Sequence, residues 1–497
     1  MIYSDLPAVP SAAEIVSILE ECVRKFQRIK EHLIATITPE TACFENVVLP
    51  WSRVADEVNT YSGMVWLLMY AAPDAETHEA IRKGSKIFND ALAGWTASRE
   101  LFLLFEAAAK KDEALDEESR HLVQDRLQDF VNAGHGSLSS EQLETYMKNK
   151  LTLNDLKLAY MENLQQNQGG VWARLSDLDG IPSEEVRKWR VEGADSEHKG
   201  EIFIPFANGG RSTTLTYAEK EDLRKTMLLA EESKVPANVT LFRETVLLRN
   251  TQAHLLGYEN HAQFRIQNRA IQSVDYLNRF LAGLGETLMP LGQQEIRQLQ
   301  ELRIRDRKAR KIYVNGDEDS FPPWDTLYYK AKALKDSGVD DAAVAEYFPL
   351  QHTVTAMLHL FEQFLDLKFT QIPPEELSRD KLWHETVTLF ANRKFKGYVK
   401  ADGTRQAPAT VLMTAFPLVE DGSCVQLKHS QVVTLFHVHD VASHEQLEKL
   451  DFAKLWYDLR GELESQDFSE FYNGSHDHVT FSHLMNGYDV GYYSYLW

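Results

Sequence analysis

The stretch Ser11-Ala12-Ala13-Glu14-Ile15-Val16-Ser17-Ile18-Leu19-Glu20-Glu21-Cys22-Val23-Arg24-Lys25-Phe26 decides the fold class. Ser11 and Glu14 have the spacing of a capping box, in which a hydroxyl and a carboxylate each satisfy a free backbone N–H at a helix start. Ile15, Ile18, Leu19, Cys22, Phe26, Ile29 and Leu33 then recur three and four residues apart. That period predicts one amphipathic helix with a continuous apolar stripe. Similar periodicity continues through 51–70, 81–109, 119–130 and 141–167, with few Pro or Gly inside. The first 170 residues therefore predict a stack of long helices. Apolar stripes at this spacing form core and carry no chemistry of their own.

Gly169-Gly170 and Gly180-Ile181-Pro182 interrupt the pattern. Residues 201–206 alternate weakly and predict a short strand. Asn208-Gly209-Gly210-Arg211 predicts a turn, and it lacks the GK[ST] ending of a phosphate loop. Helices are expected to resume near Tyr217, and Asp325, after Pro322-Pro323, is a candidate N-cap. Val354, Met357, Leu358, Phe361, Phe364 and Leu365 form another helical stripe, and short extended pieces follow at 397–400 and 410–416. Gly403 and Gly422 fall in turns. The sequence holds no repeat of solenoid period and no low-complexity tract. The expected class is mainly α with a small β element late in the chain. The expected division is an N-terminal helical region over 1–205 and a second region over 206–497.

A chain of 497 residues allows about three domains. Its 43% hydrophobic and 26% charged residues place it among globular proteins. The net charge of -21 would repel phosphate backbones, which argues against a nucleic-acid partner and suits a cationic or neutral ligand. The same acidity is also what solvated helix faces produce. Cys22, Cys43 and Cys424 are odd in number and far apart, so neither a disulfide framework nor a thiolate zinc site is supported. The start lacks a basic and then apolar leader, and the most apolar run, 64–72, is too short to span a bilayer. A cytoplasmic monomer without membrane contact is expected.

Late histidines in a helical chain invite a search for HExxH, where two imidazoles four apart bind zinc and the Glu activates water. The chain contains no such motif. His78-Glu79 is followed by Arg82, His384-Glu385 by Thr388, and His444-Glu445 by Glu448 at the second His position. At His437 the Glu position is Val438 and the second His position is Val441, and valine neither ligates zinc nor accepts a proton. His437, His439, Asp440, His444 and Glu445 remain, with His476 and His478 further on. The His-x-His spacing fits either a strand-borne metal site or surface and capping histidines. The tail is more distinctive. Tyr488, Tyr492 and Tyr495 line one face if helical, and Gly487 and Gly491 let the segment bend. A histidine and several phenols converging on a cleft can hydrogen-bond a peptide carbonyl and stabilise an oxyanion. Aromatic packing in a core has the same spacing.

Thr434-Leu435-Phe436-His437, followed by 481–497, resembles the thimet oligopeptidase and saccharolysin family of zinc metallopeptidases, family M3. Gly169-Gly170-Val171-Trp172, Leu255-Leu256-Gly257-Tyr258, Trp324-Asp325 with Tyr328-Tyr329, Glu346-Tyr347-Phe348-Pro349-Leu350 and Asp402-Gly403-Thr404-Arg405-Gln406-Ala407-Pro408 are similar to family landmarks in family order. The resemblance covers nearly the whole chain. It implies a neurolysin-like fold, two helical lobes around a deep channel that admits short peptides, and makes 206–497 an incomplete peptidase-like domain. It implies one zinc held by HExxH and a later Glu. His437 falls on the first zinc ligand, as a lone remnant, and no intact catalytic set remains. His483, Tyr488, Tyr492 and Tyr495 fall on the substrate-contacting His and tyrosines.

The chain departs from that family in three places. After His437 the text resembles a later family segment, as if about 80 residues carrying the other ligands of a His₂Glu site were skipped. A second gap falls near 390–396, and the chain stops at Trp497 where family members continue. One gap would be evolved loss; two gaps and an abrupt end fit a mis-spliced reading of an active enzyme's gene. Three readings follow: a zinc oligopeptidase inactive as written, a pseudopeptidase that binds peptides without cutting them, and a generic helical scaffold. The missing block is also expected to leave apolar channel walls uncovered.

Overall fold

The computed structural model describes residues 8–72, 74–111, 113–189, 198–338, 349–365, 368–373, 382–384, 387–392, 398–399, 403, 405–406, 448–485 and 487–495. The described part is mainly helical with small antiparallel β elements. The chain divides into two compact units, Met1–Asp155 with Ala345–His429, and Leu156–Val344 with Ser430–Trp497.

The first unit opens on α1, Ala12–Thr36. The capping box forms as the sequence requires: Ser11 N donates to Glu14 Oε2 at 2.9 Å and the Ser11 hydroxyl donates to it at 2.6 Å. The stripe is buried at Ile15, Leu19, Cys22, Phe26 and Leu33. It packs against α2, Leu49–Ala71, and α3, Ala75–Thr96. Phe26 sits 5.1 Å from Trp51 and 4.4 Å from Trp95, ring centre to ring centre. Aromatic pairs at this range add to the area they bury.

The periodic stretch 81–109 is two helices, not one. α3 ends at Thr96 and α4 runs Arg99–Lys110. Ser98 takes extended backbone angles and its hydroxyl accepts from Leu101 N at 3.4 Å. A serine offers the backbone this alternative bond, and here it restarts the helix while Trp95 and Leu101 stay buried. α5, Glu117–Asn132, starts on Asp116, which accepts from Ser119 N at 2.7 Å. α6, Ser140–Gln165, begins in the first unit and ends in the second.

In the second unit β1, Gly170–Arg174, pairs antiparallel with β2, Glu201–Pro205, in the register Val171↔Ile204 and Ala173↔Ile202. The short helix α7, Ser183–Lys188, lies between them in sequence. After β2 the chain turns through Asn208 (φ 53°) and Gly209 (φ 84°) into α8, Gly210–Tyr217. A Cβ on Gly210 would fall 2.0 Å from the Pro205 carbonyl oxygen, so this turn admits only glycine there. The helices α9, Glu221–Glu231, α10, Asn238–Leu255, α11, His261–Ile266, α12, Val274–Ala309, and α13, Thr326–Asp336, follow.

Asp325 precedes α13 as the sequence suggests, yet its side chain makes no capping bond. The carboxylate is fully buried and accepts instead from Arg224 Nε at 3.0 Å and Arg303 Nε at 2.8 Å. Two buried guanidiniums bid for it more strongly than a backbone amide does. Arg303 also donates to the Asp317 carbonyl at 3.1 Å, and Trp324 Nε1 donates to Glu221 at 3.2 Å.

Back in the first unit, α14, Leu350–Leu365, carries the late stripe, with Leu360, Phe361 and Phe364 at 49%, 43% and 77% exposure. β3, Phe369–Gln371, pairs with β4, Phe390–Asn392, and β5, Tyr398–Val399, with β6, Arg405–Gln406. The expected extended piece at 410–416 lies outside the described residues. In the second unit α15, Phe452–Glu464, is capped by Asp451, which accepts from Lys454 N at 3.0 Å. Among the described residues no helix is long and apolar enough to cross a membrane.

Asp325→Ala is expected to cost about 3–5 kcal/mol, because it leaves Arg224 and Arg303 buried without their shared partner. Urea unfolding followed by tryptophan fluorescence measures this. A loss under about 1 kcal/mol would mean that the network contributes little.

Candidate functional site

Beyond α15 the second unit continues as short tight turns at Ser469–Tyr472, Asp477–Val479, Ser482–Met485 and Tyr492–Tyr495. The tail is therefore not the α-helix that would set Tyr488, Tyr492 and Tyr495 on one face. The bent path nevertheless gathers three of the four expected side chains. His483 lies 5.3 Å from Tyr488 and 5.2 Å from Tyr492, and the two tyrosine rings are 5.7 Å apart. Phe481 closes the group, 5.1 Å from His483 and 5.3 Å from Tyr492. His483, Tyr488 and Tyr492 are each half-buried. Tyr495 closes the last turn with its backbone, and its side chain lies outside the described residues. So do His437, His439, Asp440, His444 and Glu445.

Buried charge holds this tail. Asp489 is 6% exposed and receives His261 Nε2 at 2.7 Å and Arg265 Nε at 3.2 Å. Burial alone would raise its carboxyl, but the His261 bond and the Arg265 and Arg249 charges outweigh it and hold the carboxyl below the usual range. Burial favours the neutral His261 ring, so we assign it as the N–H donor. Arg249 donates to the Leu484 carbonyl at 2.5 Å and the Met485 carbonyl at 3.3 Å, and Arg269 to the Gly487 carbonyl at 2.7 Å. Tyr493 accepts from Ile271 N at 3.1 Å, and Val490 packs with Ile266, Leu277 and Leu281. A Cβ on Gly491 would come within 2.6 Å of Arg269 Nη1, so glycine lets the guanidinium lie over the backbone.

A second buried set anchors the approach to the tail. Arg460 Nη1 donates to Glu232 at 2.7 Å and lies 3.7 Å from Asp477. His476 N donates to the Glu232 carbonyl at 2.8 Å, and its ring reaches the Lys234 carbonyl at 3.1 Å. His476 and His478 are buried, 9% and 4% exposed, and His476 precedes the turn Asp477–Val479 without a side-chain capping bond. Burial pushes His478 down to about 4, which keeps the ring neutral. It packs 5.2 Å from Phe242, within a largely apolar cluster. Both histidines thus serve packing.

Sequence reasoning passed over Arg249, Arg265, Arg269, His261 and Asp489. The available signal was Asp489 itself, one carboxylate in a Tyr- and Gly-rich run. A charge in such a run needs a partner once it is buried.

Among the described residues no group of three or more His, Cys, Asp or Glu is placed to hold an ion. The donor set of the sequence does not fit the family's zinc either, since Val438 and Val441 stand where HExxH requires Glu and His.

Residues 214–450 match peptidase family M3, and the chain resembles that family. The class the fold defines is thus a mainly helical protein, and its sequence is similar to proteins named as oligopeptidases. It is 25% identical over 442 residues to oligopeptidase PhomG of Diaporthe leptostromiformis, covering 84% of this chain and 61% of the relative. It is 23% identical over 446 residues to saccharolysin of Saccharomyces cerevisiae, covering 81% and 62%. It is 23% identical over 496 residues to oligopeptidase A of Escherichia coli, covering 90% and 68%. The chain spans less than two thirds of the length of PhomG and of saccharolysin.

Burial raises the Glu232 carboxyl from its ordinary 4.5 to about 7, against the lowering pull of Arg460 and with Asp477 adding to the rise. A raised acid is favoured neutral in the folded chain. Its contribution to stability is therefore full below 4.5 and is lost as pH rises through 7. Glu232→Gln mimics the neutral acid. Its melting temperature relative to the parent is expected to rise between pH 5 and pH 8, measured by circular dichroism. An offset that is the same at both pH values would contradict the assignment.

Proposed function

We propose that this chain is an oligopeptidase-type protein that binds short peptides and, as written, does not cut them. The observation that carries the reading is the joint one: the His483–Tyr488–Tyr492 cluster is assembled and held, while HExxH occurs nowhere in the sequence. An imidazole and phenols brought together supply hydrogen-bond donors suited to peptide carbonyls. These are the groups that would orient a bound peptide and polarise its carbonyl. Tyr495 joins them in this proposal, and His437 is a lone remnant of a zinc site.

Zinc-dependent endopeptidase activity, in peptide turnover or in precursor processing, belongs to the parent design in this reading. A single imidazole holds zinc far more weakly than three protein ligands do. A cytoplasmic monomer that engages neither nucleic acid nor membrane completes the proposal, in line with the net charge of -21.

The purified chain is expected to carry well under about one zinc per molecule by elemental analysis. Calorimetry is expected to show heats of binding for short peptides, with the peptides recovered intact after incubation. Replacing both Tyr488 and Tyr492 by Phe is expected to weaken binding about tenfold, through lost hydrogen bonds. Tightly bound stoichiometric zinc with ready peptide hydrolysis would overturn the proposal.

A further inference from the structure

The residues just past α9, 232–234, and the turn 474–477 clasp each other. His476 N donates to the Glu232 carbonyl at 2.8 Å, and the Ser233 and Ser475 hydroxyls share a hydrogen bond at 3.1 Å. Beyond its packing, the His476 ring spans two carbonyls. Its Nδ1 lies 2.8 Å from that of Gly474, and its Nε2 lies 3.1 Å from that of Lys234. A neutral imidazole has one N–H and serves one carbonyl, whereas the imidazolium donates to both.

The charges beside this ring favour a second proton. Arg460 faces three carboxylates, Glu232 at 2.7 Å, Glu464 at 2.8 Å and Asp477 at 3.7 Å. Glu232 is 1% exposed, and among the described residues its Oε2 accepts no hydrogen bond. An ionised carboxylate oxygen buried without a donor is costly, and a proton on it lowers that cost. Burial raises this carboxyl against the pull of Arg460, and Asp477 adds to the rise. The other groups at hand are matched or neutral. Glu231 pairs with Arg211 and Lys234, and Asp477 accepts from the Thr480 hydroxyl at 2.8 Å. The Tyr457 hydroxyl accepts from Asp477 N at 3.3 Å, and burial keeps His478 neutral. With protons on Glu232 and His476, the cations Arg460 and His476 meet the carboxylates Asp477 and Glu464. With both protons lost, Arg460 alone meets all three carboxylates.

We propose that Glu232 and His476 form a proton-operated latch, which holds the turn 474–480 against the end of α9 in acid and releases it in mild alkali. His483 follows this turn, between Val479 and Met485, and those two residues are buried in one cluster with Tyr160 and Phe242. A looser turn therefore loosens the footing of His483. Proton loss from Glu232 sets the release as pH rises through about 7. A control of peptide affinity by the latch rests on the peptide-binding reading above, since a ligand binds more weakly when its competent state is only partly populated.

Hydrogen exchange read by mass spectrometry on the whole chain at pH 6 and pH 8, corrected for the intrinsic pH dependence of exchange, tests the latch. Protection of peptides covering 469–485 is expected to fall about tenfold between the two, while α1 keeps its own. Glu232→Gln is expected to retain most of that protection at pH 8. His476→Gln is expected to show at pH 6 the weaker protection that the parent shows at pH 8. Calorimetry with a short neutral peptide is expected to give binding about fivefold weaker at pH 8 than at pH 6 in the parent, and a smaller difference in Glu232→Gln. Titration of His483 alone would move parent and variant alike. Equal protection of 469–485 at both pH values, or the same fall in Glu232→Gln as in the parent, would overturn the latch. The expected protection pattern with no peptide bound at either pH would uphold the latch and overturn the peptide-binding reading.

Discussion

The candidate site depends on one buried carboxylate. Asp489 lies inside a segment of tyrosines and glycines whose apolar anchors are Met485, Val490 and Tyr493. His261 and Arg265 from α11 meet it, Arg249 from α10 reaches the Leu484 and Met485 carbonyls, and Arg269 reaches that of Gly487. These bonds, more than helix propensity, set where His483, Tyr488 and Tyr492 stand. A buried charge with several partners is costly to break and indifferent to the local backbone period. A run of tight turns can therefore present a fixed aromatic group.

The helical scaffold was legible because its cause is periodic. The stripe from Ile15 to Leu33 and the Ser11–Glu14 box specify α1 without any tertiary information. The break between α3 and α4 was less visible, because Ser98 ends one helix and starts another without disturbing the apolar spacing. Asp325 was placed correctly in the chain but given a local role. Its true partners, Arg224 and Arg303, are 101 and 22 residues away in sequence, and no local pattern announces them. The same holds for Arg460 with Glu232, 228 residues apart.

The tail shows both sides of this. Its residue types, a histidine and phenols among glycines, single out side chains that the structure brings together at His483, Tyr488 and Tyr492. Helical spacing was the wrong reason, since the segment turns instead of winding. The basic surroundings were not legible at all. Arg249 and Arg265 come from two helices, and only the fold collects them around Asp489. The chemistry divides accordingly. The imidazole and phenols of the tail are brought together, while HExxH is missing from the sequence itself.

The most direct measurement of the Asp489 constraint is amide hydrogen exchange, read by mass spectrometry, in the parent chain and in Asp489→Asn. Peptides covering 481–493 are expected to lose protection in the variant, while the β1–β2 pair and α1 keep theirs. Unchanged protection across 481–493 would show that the tail is held by something other than this carboxylate.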